Sequence, residues 1–156
     1  MPNTKPLVCV ACVCEKVLYE RDGVLSAIRI VDVLYVPAQN RPSDLSDVAL
    51  SVPGVSLNIL VSLKSGDLKG TSDIGLRMRS PSGRIVELPQ KFPVTFIGGE
   101  QGVNLHVVFV LETKTKGEFG LFWFDVYWSG EVLTSIPFKL VEGPPPSASA
   151  PETSLQ

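Results

Sequence analysis

The run Phe119-Gly120-Leu121-Phe122-Trp123-Phe124-Asp125-Val126-Tyr127-Trp128 carries six aromatic rings in ten residues, and Ser129-Gly130 joins it to a second extended run, Glu131 to Leu140. Side chains of a strand alternate between its two faces, and here both faces are apolar. One face fills a core. The other is exposed or lies under another part of the chain. Asp125 decides which is which, because it shares a face with Leu121, Trp123 and Tyr127. A carboxylate buried without a partner is costly. Phe122, Phe124, Val126 and Trp128 are therefore assigned to the core, and Leu121, Trp123 and Tyr127 to the outer face.

A period of two recurs along the rest of the chain, and no stretch of eleven residues or more shows a helical period. Val55, Leu57, Ile59, Val61 and Leu63 alternate with Ser56, Asn58, Ser62 and Lys64, with Leu60 breaking the pattern. Further strands are expected over Leu7–Cys14, Leu25–Val36, Ser72–Arg79, Arg84–Leu88, Pro93–Ile97 and Val103–Leu111. Glu20-Arg21-Asp22-Gly23 and Pro81-Ser82-Gly83 read as tight turns. Residues 37–54 form the longest irregular connection, with one helical turn admissible after Ser43. About eight or nine short strands with Gly/Pro turns and no crossover helices specify an all-β fold. The expected architecture is an antiparallel β-sandwich, immunoglobulin-like in outline, over residues 1–141. Residues 142–156, rich in Pro, Ser and Ala, lack the apolar side chains that would offset ordering and are expected to be a disordered tail.

Charge narrows the function classes. There are 14 basic and 16 acidic residues; Glu142 and Glu152 lie in the tail, which leaves residues 1–141 with 14 of each sign. A neutral domain has no electrostatic footprint for nucleic acid or an anionic bilayer. The apolar run Leu7–Val13 follows a single Lys5 and charges resume at Glu15, so it reads as a buried first strand rather than a signal peptide. Three cysteines within six positions suit a reducing cytoplasm better than a disulfide framework.

Several groups invite chemistry. Cys9, Cys12 and Cys14 spell Cys-x-x-Cys-x-Cys, but on a strand Cys12 and Cys14 face one way and Cys9 the other, and tetrahedral zinc wants four converging ligands. His106, the one histidine, alternates with core residues and should point outward beside Val108 and Val110. Asp32, Asp125 or Cys14 would complete a triad with it on paper, with nothing in the sequence to set the distances. The acids of the loops are too scattered for calcium, and Gly98-Gly99-Glu100-Gln101-Gly102 lacks the features of a phosphate loop. Arg77 and Arg79 share a strand face that Arg84 could join, a trio able to hold a carboxylate.

The segments Cys14-Glu15-Lys16-Val17, Asp22 to Ile30 and Ile74 to Gly83 resemble a family of small, uncharacterised bacterial β-sandwich proteins. The resemblance spans most of residues 7–141 and implies bacterial origin and fold; it carries no functional residue with it.

The expectation is a non-enzymatic, cytoplasmic protein-interaction module without a cofactor. Its partner is a protein or a second copy, bound through Leu121, Trp123 and Tyr127, with Val108 and Val110 adjoining if their strand pairs with the aromatic one. The competing reading is a metal-binding or hydrolytic protein that uses Cys12, Cys14 and His106.

Overall fold

The computed structural model describes residues 5–36, 55–111 and 118–144. The 37–54 connection with its expected helical turn after Ser43, the Thr113–Gly117 loop and residues 145–156 lie outside them. The elements are β1 (Leu7–Tyr19), β2 (Leu25–Ile30), β3 (Val33–Val36), β4 (Val55–Arg79), β5 (Ile85–Glu87), β6 (Phe92–Leu111), β7 (Gly120–Trp128) and β8 (Glu131–Glu142). No described residue is helical. The all-β sandwich stands as expected.

Four expected strands are two. Val55–Leu63 and Ser72–Arg79 are halves of the 25-residue β4, and Pro93–Ile97 and Val103–Leu111 are halves of the 20-residue β6. The halves pair with each other along the full ladder, with register shifts between Lys64, Gly66 and Lys69. Gly66, Gly70, Gly98 and Gly99 lie in the positive-φ region there. Glycine enters that region without steric cost, so the stretches between the expected strands let a bulged ribbon bend and continue.

The bend creates the sandwich. The first half of β4 lies between β1 and β6, which gives a layer ordered β2-β1-β4-β6. Its second half lies between β7 on one side and β5 and the start of β6 on the other, and β8 and β3 extend that layer. Strand neighbours are antiparallel except β3 and β8, which run parallel. The expected strand over 25–36 breaks at Val31–Asp32; Val31 enters the core, and β3 moves to the second layer.

The turns follow their residue types. Gly23 and Gly83 adopt positive φ and donate to the carbonyls of Glu20 and Ser80 at 3.0 and 2.9 Å. Ser129 and Gly130, with φ of 49° and 84°, make the two-residue hairpin between β7 and β8. Two positive-φ centres match the twist of the flanking strands.

Alternation sorts the core. Leu57, Ile59, Val61 and Leu63 meet Ile74, Leu76, Phe122, Phe124, Val126 and Phe138 between the layers. Phe124 stacks on Phe138 at 5.1 Å and meets Phe109 of the opposite layer edge-on at 5.0 Å. Trp128 is only partly buried; it packs against the core while its indole N–H donates to Ser72 Oγ at 2.8 Å. The first strand is less buried than expected, since Leu7, Cys9 and Val10 are exposed and only Cys12 to Cys14 and Val17 are closed over.

Phe124 joins both layers, so Phe124→Ala should cost about 3–5 kcal/mol of unfolding free energy. Urea unfolding should show a lower midpoint with an unchanged m-value.

Candidate functional site

The outer face of the second layer is built on Asp125. The ladder sets Asp125 between Arg77 of β4 and Ser135 of β8, and sets Trp123 opposite Arg79. Arg79 grips the carboxylate with both ends of its fork, Nη2 to Oδ1 and Nε to Oδ2, each at 2.8 Å. Arg77 Nε donates to Oδ2 at 3.0 Å and Ser135 Oγ to Oδ1 at 2.6 Å. Each oxygen thus accepts two hydrogen bonds, and the group is only 1% exposed.

Asp125 shares the outward side of β7 with Trp123 and Tyr127, as expected, yet it is buried. The sequence argument weighed an unpaired carboxylate; this one is fully paired. The carboxylate that the arginines were expected to be able to hold belongs to the chain itself. Burial alone would raise the pKa of Asp125, but the bonds from Arg79, Ser135 and Arg77 outweigh it and hold it near 2. Arg84 stands apart from the trio, near Glu118, whose carboxylate is favoured first by hydrogen bonds from Ser80 and Ser82, the latter at 2.7 Å from Oε1, and last by the charge of Arg84.

The rings of this face are seated on that cluster. The Arg79 guanidinium lies over the Trp123 ring, 5.5 Å from its centroid. Tyr127 lies over Gly75, where an added Cβ would run into the ring, and the Lys91 ammonium lies 4.4 Å from the ring centroid and donates to the Tyr127 hydroxyl. Trp123 and Tyr127 keep partial exposure, and Leu121 is 45% exposed. Ile85 and Pro137 flank Arg79 and Trp123 in the same cross-strand row and are exposed as well.

Val108 and Val110 do not adjoin this patch. The strand that carries them, β6, pairs with β4 and not with β7. Opposite Asn58 and Ser56 they point away from the core on the first layer, 59% and 55% exposed. The five residues expected to form one surface therefore divide between two opposite faces.

That other face also answers for the cysteines and the histidine. Cys12 pairs with Leu60 and Leu60 with His106, so a buried leucine separates thiol from imidazole. Val17, Leu25 and Ala27 of the β1–β2 hairpin pack on Cys12, Cys14 and Leu60. Burial pushes both thiols up, and Cys9 sits apart at a register shift and is exposed. His106 is engaged on both ring nitrogens, with Tyr19 Oη 3.1 Å from Nδ1 and Asn58 Oδ1 2.7 Å from Nε2. The Asn58 amide donates to the Glu15 carbonyl at 2.6 Å, so Nε2 is the donor toward Oδ1 and Nδ1 accepts from the tyrosine. The network ties the hairpin down. Neither Asp32 nor Asp125 reaches the imidazole, and among the described residues no three His, Cys, Asp or Glu side chains are placed to hold a metal ion. A cleft of about 420 Å³ lies beside β2 and β3, where Arg29 meets Glu15 at 3.4 Å.

What the sequence reading missed is the pairing of Asp125 with Arg77 and Arg79. Both parts were visible, a single acid in an aromatic strand and two arginines spaced by two, but strand register joins them.

No protein-family model matches the chain, and no curated protein does. Among solved structures, similarity is found to an immunoglobulin-like protein from Pseudomonas aeruginosa at 14% identity and a TM-score of 0.44, covering 88% of this chain and 98% of that one. An alkylpurine DNA glycosylase from Pseudomonas fluorescens bound to DNA with an abasic-site analogue matches 70% of this chain at 17% identity and a TM-score of 0.42. A β-glucosidase from Kluyveromyces marxianus matches 64% at 16% identity and a TM-score of 0.44. This chain spans 27% of the glycosylase and 14% of the glucosidase. No described helix is long and apolar enough to cross a membrane.

Two measurements probe the faces. Because Asp125 titrates near 2 in the fold against 3.8 ordinarily, its contribution, on the order of 2 kcal/mol, is complete above about pH 5 and fades as the pH falls through 4 towards 2. Asp125→Asn should be less stable than wild type at pH 7 by roughly that amount, and the gap should close in acid when urea midpoints are compared. In native protein a thiol reagent should label Cys9 rapidly and leave Cys12 and Cys14 until the chain unfolds.

Proposed function

We propose that this chain is a non-enzymatic protein-interaction module of the bacterial cytoplasm that binds a protein partner through Trp123, Tyr127 and Leu121. The observation that carries the reading is that both rings are held in place within the chain itself: Trp123 lies against a guanidinium anchored by Asp125, and Tyr127 rests on Gly75 with its hydroxyl bonded by Lys91. Immobilised side chains lose little conformational freedom on association, so more of the contact energy reaches affinity. Trp, Tyr and Arg are also the residues most enriched at interface hot spots. Leu121, Ile85 and Pro137 supply exposed apolar surface around them. Val108 and Val110 have no part in this surface.

Affinity capture from bacterial extract should compare wild type with Trp123→Ser and Leu121→Ser, each first shown to keep its circular dichroism. A partner retained by wild type and lost from both variants is the expected outcome. Equal capture by all three would remove the aromatic face from consideration.

A further inference from the structure

The second half of β6 is an edge strand built to be paired. Residues 102–111 bond to β4 on one side, and among the described residues no strand takes the other. An open edge presents a row of free N–H and C=O groups, and proteins normally blunt it with charge, proline or brevity. The edges formed by β2, β3 and β5 do so: β2 is six residues long and contains Arg29, β3 has four residues and is followed by Pro37, and β5 has three and ends at Glu87 before Pro89. Leu7–Cys12 of β1, which runs past β2, is also uncharged, but a register shift at Val8–Val10 interrupts it. From Gln101 to Leu111 there is no charged residue and no proline. On the outward side Val108 and Val110 stand exposed.

We propose that this edge pairs antiparallel with the same edge of a second copy, joining the two β2-β1-β4-β6 layers into one eight-stranded sheet across a two-fold axis. The occupant is a second copy because the strand is uncharged: like meets like without repulsion, and a two-fold contact asks only that the strand be complementary to itself. With the two-fold axis at Phe109, Val108 of each copy lies opposite Val110 of the other, and the two pairs shield apolar surface that a lone copy exposes. The edge lies on the layer opposite the aromatic face, so this proposal is independent of the function proposed above. If both hold, the pair displays two Trp123 surfaces and gains in avidity for a multivalent partner.

Sedimentation equilibrium of the full chain over a concentration series tests it, with wild type, Val108→Lys/Val110→Lys and Trp123→Ser compared. Both valines are exposed in the single chain, so circular dichroism should show the lysine variant folded. Wild type should dimerise, Trp123→Ser should dimerise equally, and the lysine variant should dissociate at least about a hundredfold more readily, since four ammonium groups meet across the axis. Amide exchange across 107–111 should slow as wild type is concentrated. A wild type that stays monomeric overturns the proposal, whether its edge amides exchange freely or are protected by a segment of the same chain. A dimer that survives the two lysines, or one lost in Trp123→Ser, overturns it as well.

Discussion

Four of the other seven strands hydrogen-bond directly to β4, and the remaining three attach through them. The 25 residues of β4 pass through both layers, so the sandwich is one continuous sheet bent back on itself. The glycines at the bend meet that constraint: Gly66 and Gly70 on β4 and Gly98 and Gly99 on β6 take the positive φ that a bulged ribbon needs where it turns. With β4 continuous, the inward set of its first half faces the inward set of its second half. The core follows from alternation along a single strand.

The same continuity builds the outer faces. Beyond the bend, the outward residues of β4 are Gly75, Arg77 and Arg79, and β7 lays Tyr127, Asp125 and Trp123 against them in that order. Each pair is matched in kind: a ring lies over the residue that has no side chain, two guanidiniums meet a carboxylate, and the indole lies beneath one of them. Before the bend, the outward residues Asn58 and Leu60 anchor His106 and the β1–β2 hairpin. One face thus displays rings and the other is partly roofed by the chain's own hairpin.

Most of the fold was legible in the sequence, for a local reason. Alternation marks which residues of a strand share a side, and it placed Phe122, Phe124 and Val126 inside, His106 outside, and Trp123 and Tyr127 opposite the core. The Asp-Gly, Ser-Gly and Pro-Ser-Gly turns were legible because each needs a particular backbone angle. Alternation does not say whether a glycine ends a strand or bends it, and the expected strand over Pro93–Ile97 accordingly stops at Gly98-Gly99, where β6 continues. The parallel pairing of β3 with β8 was equally out of reach, because it joins segments about a hundred residues apart.

By itself the sequence determined the class of structure, the inward set and the neutrality of the domain, since these depend on side-chain period, turn chemistry and charge count. The tertiary structure alone decided which outward residues meet. Register on β4 brought Asp125 to Arg77 and Arg79 and made a buried carboxylate affordable through four donors. Strand order put Val108 and Val110 on the face opposite Trp123, and a buried Leu60 between Cys12 and His106. Neighbours across a sheet are set by which strands pair and in what register, and that choice belongs to the whole chain at once.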